Sequence, residues 1–236
     1  MTSIHLVILA GGSGRRARDA GDATPKQFQC VHGRPLWAWS VERLTIHPAV
    51  VSLTITCPDE FREELGRNLG SMDLRIPWSL AVAGPTRTAS TWSAVGQLAL
   101  DREPRPDDLI AVHDAARPLA DSDLLERLML AAIDKGGAVP GIMVTDTTVI
   151  ENPDGRLEYL PRERLWSVQT PQVFPWGIFR DAHAWAAGQG LDFTDDGGLM
   201  ATQGHRPVVV AGSPDNLKVT TTADLDALRF RTDPLG

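Results

Sequence analysis

The sequence predicts an α/β fold, an open and mostly parallel sheet with helices on both faces. Three observations carry that expectation. The run Ile4-His5-Leu6-Val7-Ile8-Leu9-Ala10 is almost uninterruptedly apolar and stops at Gly11-Gly12, the pattern of a strand buried on both sides. Apolar or β-branched runs then alternate with helix-period segments as far as Val144. Beyond Val144 the alternation gives way to two short strand-like runs around a turn, so a β-hairpin arm is inserted into the α/β body.

The elements follow in order. Pro35 stands at a plausible first helical position, and Leu36, Trp39, Ser40, Arg43 and Leu44 continue the helix to a stop at His47-Pro48. Val50 to Thr56 reads as a strand closed by Pro58, Glu60 to Leu69 as a helix, and Ser79 to Val82 as a short strand. Thr86 to Leu100 is a helix, Asp108 to Val112 a strand, Asp121 to Lys135 a helix capped by its aspartate, and Gly137 to Val144 a strand. Crossovers between parallel strands are expected to be right-handed. Thr147 to Ile150 and Arg156 to Leu160, joined at Asn152-Pro153-Asp154-Gly155, form the hairpin. Such a hairpin is marginal alone, so it is expected to pack on something, most simply a second copy of the chain. Helices at about Pro175 to Ala187 and Asp195 to Gln203, a strand at Pro207 to Val210 and a closing helix from about Ala223 complete the chain.

Composition bounds the function. The 236 residues are 42% hydrophobic and 22% charged, which describes a globular chain, read as a single domain over 1–236 with an arm at about 145–164. Cys30 and Cys57 cannot build a disulfide framework, and no Cys and His cluster has zinc spacing, so a reducing compartment, the cytoplasm, is expected. No apolar run reaches the ~20 residues that span a bilayer, and Ile4 to Ala10 lacks the basic lead of a signal peptide. With 23 Lys plus Arg against 30 Asp plus Glu, the formal charge of -7 argues against a nucleic-acid surface. Any bound anion must meet locally gathered cations.

Leu9-Ala10-Gly11-Gly12-Ser13-Gly14-Arg15-Arg16 follows the first strand, and small residues there let backbone N–H groups approach a phosphate. A plain tight turn is one competitor. A dinucleotide loop is the other, because Gly12-Ser13-Gly14-Arg15-Arg16-Ala17 matches G-x-G-x-x-A. Against the second, Asp59 after the next strand lies well beyond the ~20-residue offset of a ribose-binding acid. The P-loop signature G-K-[ST] is absent, and the arginines favour a triphosphate. Thr24-Pro25-Lys26-Gln27-Phe28 adds a mobile point charge, which alone would read as a solvated loop. Ala111-Val112-His113-Asp114-Ala115-Ala116-Arg117-Pro118 ends a strand, where open α/β sheets place ligands. Asp114 there is a candidate ligand-binding carboxylate, with a salt bridge to Arg117 as the structural alternative.

A strand followed by G-x-G-x-R and then P-K resembles the sugar-nucleotidyltransferases. Gly84, Arg87 and Ser90, the His113-Asp114-Ala115-Ala116-Arg117 run, Gln169-Thr170-Pro171-Gln172-Val173, Thr194-Asp195-Asp196 and Asp215-Asn216-Leu217-Lys218 follow in order. Together they resemble the 2-C-methyl-D-erythritol 4-phosphate cytidylyltransferase family of the non-mevalonate isoprenoid pathway, over nearly the whole chain. The resemblance implies a Rossmann-like sheet of the nucleotide-diphospho-sugar transferase type. It also implies an enzyme that joins CTP to the polyol phosphate with Mg²⁺ and releases pyrophosphate. Arg16 and Lys26 would stabilise the triphosphate in the transition state, and Arg162 and Lys218 would position the incoming phosphate. Ala10, Gly11, Gly12 and Gly14 would line the nucleotide, with Gly84 and Ser90 against cytosine and Arg87 nearby. Asp114, Arg117, Thr147, Arg162, Thr170, Gln172 and Lys218 map to the acceptor side, and Asp114 with Asn216 to the metal. Thr147 and Arg162 would come from the hairpin of a partner subunit, which makes a homodimer part of the site.

Some residues depart from that pattern. Ala10-Gly11-Gly12 replaces the usual Ala-Ala-Gly, and Pro85-Thr86 follow Gly84 where acidic or polar residues are usual; proline has no backbone N–H to offer a base. The arm lacks the lysine that commonly follows Asp-Thr, and Gly197-Gly198 replaces Ala-Ser, so a pentitol-phosphate cytidylyltransferase is the nearest alternative and an inactive nucleotide-binding protein a further one. His5, His32, His47, His183 and His205 have no ligand spacing and read as structural or surface groups. The tryptophans read as packing residues, and Asp195 or Thr194 as the cap of the helix that follows.

Overall fold

A computed structural model describes residues 2–11 and 25–232. Among them, eight strands form one sheet. Strand β1 (Ile4–Leu9) lies between β4 (Val50–Cys57) and β6 (Leu109–Asp114), parallel to both. Strand β5 (Trp78–Val82) continues the parallel set beyond β4. Side chains alternate across this sheet as strand geometry requires. Ile4, Leu6 and Ile8 enter one core with Leu109 and Ala111, while Val7 enters the other with Ile110 and Val112.

Helices cover both faces. Helix α1 (Leu36–Thr45), α2 (Arg62–Ser71) and α4 (Ser122–Lys135) pack on the first core through Trp37, Val41, Leu44, Leu65, Leu69, Leu124 and Leu128. Helix α3 (Arg87–Arg102), α5 (Trp176–Gln189) and α6 (Asp196–Thr202) pack on the second through Ala94, Leu98, Phe179, Ala186 and Leu199. Capping explains several starts: Thr86, Asp121 and Asp195 each accept a backbone N–H at the third position of the helix they open. Pro35 is the residue before α1 rather than its first member, because its ψ of 149° is extended and it pairs in a short ribbon. That ribbon, β2 (Cys30–Val31) with β3 (Arg34–Pro35), was not legible in so short a segment. Helix α7 (Thr222–Arg231) closes a third core of Val31, Leu36, Val219, Leu225 and Leu228.

The far side of the sheet differs from a simple alternation. After β7 (Ala138–Met143) the chain makes the hairpin of β8 (Val149–Glu151) and β9 (Leu157–Tyr159), then returns as β10 (Trp166–Val168) and β11 (Gln172–Pro175). Both returning strands are antiparallel, β10 to β7 and β11 to β6, and neither is long enough to show a strand period in the sequence. Strand β12 (Val208–Ala211) runs parallel to β7. The order across the sheet is therefore β10-β7-β11-β6-β1-β4-β5, with β12 also paired to β7. No helix among the described residues is long and apolar enough to cross a membrane.

Phe174 of β11 ties this side together. It is fully buried, its ring stacks 5.7 Å from that of Phe179, and a Cβ on Gly137 would come within 2.6 Å of it. Phe174→Ala is expected to remove about 3–5 kcal/mol of stability, read by urea unfolding, because it leaves a void between the sheet and α5 that the surrounding packing only partly fills.

Candidate active site

The C-terminal ends of β1 and β6 are in register, with Leu9 opposite Asp114. Strand β1 has β4 on one side and β6 on the other, so the crossovers diverge here and leave a crevice beyond the strand ends. A cavity of about 520 Å³ occupies it, lined by Leu9, Gly11, Gln27, Gly84, Pro85, Thr86, Arg87, Ser90, Asp114, Ala116 and Lys218. Five separate chain segments meet there.

Two glycines form part of the wall because nothing larger fits. A Cβ on Gly11 would lie 2.3 Å from the Ala83 Cβ, and one on Gly84 would lie 2.6 Å from the Ala89 Cβ. Ser90 fixes the loop between β5 and α3: its Oγ accepts the Gly84 N–H at 3.1 Å and donates to the Thr86 carbonyl at 2.8 Å. Ala10 is buried, and its carbonyl accepts from the Gln27 side chain at 2.7 Å. This bond places the Pro25-Lys26-Gln27 turn beside the end of β1. Lys26 is half-buried and opens a single 3-10 turn, Lys26–Phe28, next to Gln27 of the cavity wall.

Asp114 is the charged centre. Its Oδ2 accepts from Lys218 Nζ at 2.7 Å and its Oδ1 from Arg87 Nε at 3.4 Å. Burial opposes the ionised form, but Arg87 and Lys218 outweigh it and hold the carboxyl well below the usual carboxylate range. The salt bridge expected as the structural alternative, Asp114 to Arg117, is replaced by these two. Arg117 instead donates to the backbone, to the Asn216 carbonyl at 2.8 Å and the Val168 carbonyl at 3.5 Å. With the Val219 N–H on the Ala116 carbonyl at 2.8 Å, this pins the segment that delivers Lys218.

Several residues mapped to the acceptor side are occupied within the scaffold. The Thr170 hydroxyl accepts the Asp114 N–H at 3.0 Å and lies 3.0 Å from His113 Nδ1, while His113 Nε2 lies 2.9 Å from the Arg117 carbonyl. A carbonyl can only accept, so Nε2 carries the proton and Thr170 donates to Nδ1. Gln172 donates to Asp195 at 2.8 Å and accepts from the Gly197 N–H at 2.8 Å. Asn216 donates to the Thr170 carbonyl at 2.8 Å, and its Oδ1 is buried without a partner among the described residues. Thr170, Gln172, Asn216 and Arg117 therefore brace the cavity and are not among its lining residues. Thr147 and Arg162 lie on the arm, both exposed, with Arg162 donating to the Thr145 carbonyl at 3.3 Å; neither lines the cavity of its own chain. Gly12, Gly14 and Arg16 lie outside the described residues.

Sequence reasoning missed Gln27, Leu9 and Ala116 as wall residues; His183, read as structural or surface, is buried against Phe179 with its Nε2 on Asp196. Asp195 is the cap of α6, as expected, while its neighbour Asp196 pairs with both His183 and Arg87. No spacing in the sequence could signal that pairing, since the three residues sit on three different helices. Among the described residues, no three His, Cys, Asp or Glu side chains group as a metal site.

The buried His113 has a measurable consequence. Burial lowers its pKa from 6.5 to about 4, so the folded protein keeps it neutral while the unfolded chain takes up a proton below pH 6.5. The stabilisation is complete above pH 6.5 and is lost as pH falls toward 4, at up to about 1.4 kcal/mol per pH unit. The unfolding free energy of His113→Asn should fall less steeply between pH 6.5 and 4.5 than that of the wild type; equal slopes would assign the loss elsewhere.

The model of the 2-C-methyl-D-erythritol 4-phosphate cytidylyltransferase family matches residues 4–231. A protein of that name from Stenotrophomonas maltophilia (strain K279a) is 37% identical over 230 residues, covering 97% of this chain and 96% of its own. One from Xanthomonas campestris pv. campestris (strain 8004) is 36% identical over 230 residues, covering 97% and 84%. The crystal structure of the enzyme of that name from Thermus thermophilus superimposes with a TM-score of 0.74 at 27% identity, covering 98% of each chain. The 4-diphosphocytidyl-2C-methyl-D-erythritol synthase structure from Anaerococcus prevotii shares the fold with a TM-score of 0.83 at 20% identity, covering 98% and 96%. With a family match that runs from β1 to α7, this chain belongs to the 2-C-methyl-D-erythritol 4-phosphate cytidylyltransferase family.

Proposed function

We propose that this chain joins CTP and 2-C-methyl-D-erythritol 4-phosphate to give 4-diphosphocytidyl-2-C-methyl-D-erythritol and pyrophosphate, a step of isoprenoid precursor synthesis. The observation that supports it best is the meeting of Gly11, Gly84, Asp114 and Lys218 in one cavity of a chain of this family. A phosphate oxygen of the acceptor attacks the α-phosphorus of CTP, the bond from that phosphorus to the bridging oxygen breaks, and pyrophosphate leaves. The attacking oxygen is already ionised, so no general base is needed. The barrier is the approach of two anions, which fixed cations lower.

Each residue then has a task. Gly11 and Gly84 keep the wall thin enough for a pyrimidine nucleotide. Lys26 and Arg16 meet the triphosphate, and their charge counts most as negative charge moves onto the leaving pyrophosphate. Lys218, nearly half exposed beside Asp114, can exchange its carboxylate partner for the incoming phosphate. Mg²⁺ is proposed as the divalent cation; it takes few protein oxygens and completes its shell with waters and substrate phosphates. Asp114 suits that, as an ionised carboxylate on the cavity wall, and Asn216 is not on that wall. Bound there, the ion would neutralise triphosphate charge.

The arm supports a dimer. Ile150, Leu157 and Tyr159 are 46%, 52% and 69% exposed on a two-stranded hairpin that would not persist unsupported. A second copy covering it would bring Thr147 and Arg162 to the neighbouring cavity. Free thiols at Cys30 and Cys57 fit the reducing cytoplasm as the compartment.

Incubation with CTP, Mg²⁺ and the acceptor should release pyrophosphate, and chelation by EDTA should stop it; no release would remove the assignment. Lys26→Ala and Arg16→Ala should lower kcat by about 100-fold or more with little change in KM, whereas Arg162→Ala should mainly raise the KM for the acceptor. Sedimentation should give a dimer, and Leu157→Asp with Tyr159→Asp should yield a folded monomer that turns over poorly.

A further inference from the structure

Arg87 is the first residue of α3, where the helix dipole makes a cation unwelcome. It is nonetheless held there, with only 19% of its side chain exposed. Its Nε faces Asp114 at 3.4 Å and its Nη1 faces Asp196 Oδ2 at 2.8 Å. Asp196 is almost wholly buried, in the first turn of α6, and its Oδ1 lies 3.1 Å from Nε2 of an equally buried His183 on α5. The His183 ring is fixed in turn against Phe179, with centroids 4.4 Å apart. The chain His183, Asp196, Arg87, Asp114 and Lys218 thus runs from the second core to the cavity wall. Asp196 itself is not among the residues that line the cavity.

We propose that Asp196, oriented by His183, is a positioning residue for the nucleotide cavity, acting through Arg87. A guanidinium set between two carboxylates has one orientation. Remove Asp196 and Arg87 is left at the positive end of α3 with Asp114 as its remaining carboxylate partner. It would then swing onto Asp114 and draw that carboxylate away from Lys218, disturbing both charges that face the nucleotide. The inference rests on the reading of the cavity as the CTP site.

The test is a double-mutant cycle on CTP kinetics, with direct CTP binding to the wild type measured by calorimetry as the reference. Asp196→Asn is expected to raise the KM for CTP about tenfold with kcat within about threefold. In an Arg87→Ala background the same substitution should change the KM by less than about twofold, while raising Tm because an unpaired buried charge is removed. Equal KM factors in both backgrounds would overturn the inference. If Asp196→Asn does not fold, His183 decides: His183→Gln keeps an N–H donor for Asp196 and should retain the wild-type KM, and His183→Leu should raise it at least about threefold. Equal KM values for these two would also overturn it. No CTP binding by the wild type would instead remove the CTP reading, and this inference with it.

Discussion

The site depends on one arrangement of charge: the Asp114 carboxylate at the end of β6, shared between Arg87 and Lys218. The largely buried Asp114 and Arg87 are unfavourable singly, and each is tolerated because the other, with the half-exposed Lys218, is present. The backbone is built to serve them. The Asp114 N–H is taken by Thr170, the loop carrying Arg87 is tied by Ser90, and the segment carrying Lys218 is held by Arg117 and Val219. Most polar side chains around the cavity therefore hold backbone, and few remain to touch a ligand.

That division explains what was legible in the sequence. The parallel half of the sheet could be read because β1 is an almost unbroken apolar run and β4 is rich in β-branched residues, both buried along nearly their whole length. The cap at Asp121 was equally plain, and that at Asp195 nearly so beside Thr194, since capping is local chemistry, whereas Thr86 read as the first residue of its helix and is its cap. Strands β10 and β11 were not read: each is three or four residues long, and their pairing with β7 and β6 is set by partners far away in the chain. The candidate site divides in the same way. Gly84, Asp114 and Lys218 stood out as members of an ordered motif set, whereas Gln27 closes the wall through a bond to Ala10 that no local pattern encodes. Thr170 and Gln172 share a motif with ligand-facing residues for a different reason: they hold β11 against β6 and α6.

The two cores also differ in what they carry. The first is apolar throughout and packs α1, α2 and α4. The second holds a hydrogen-bonded polar pair inside it, Asp196 with His183, beside Phe179. A buried carboxylate is a poor source of stability compared with an apolar filling of the same shape. Its presence under α3 is accounted for by the guanidinium that it faces.

The close approach of Gly11 to Ala83 has an evolutionary side. The two positions come from the ends of different strands, yet the space between them holds one methyl group, and here that group belongs to position 83. Where a relative carries alanine at the position of Gly11, the volume must be surrendered across the gap or the strand ends must spread. A side chain at position 11 thus calls for a smaller one at position 83, and a family tree should record the two changing hands together.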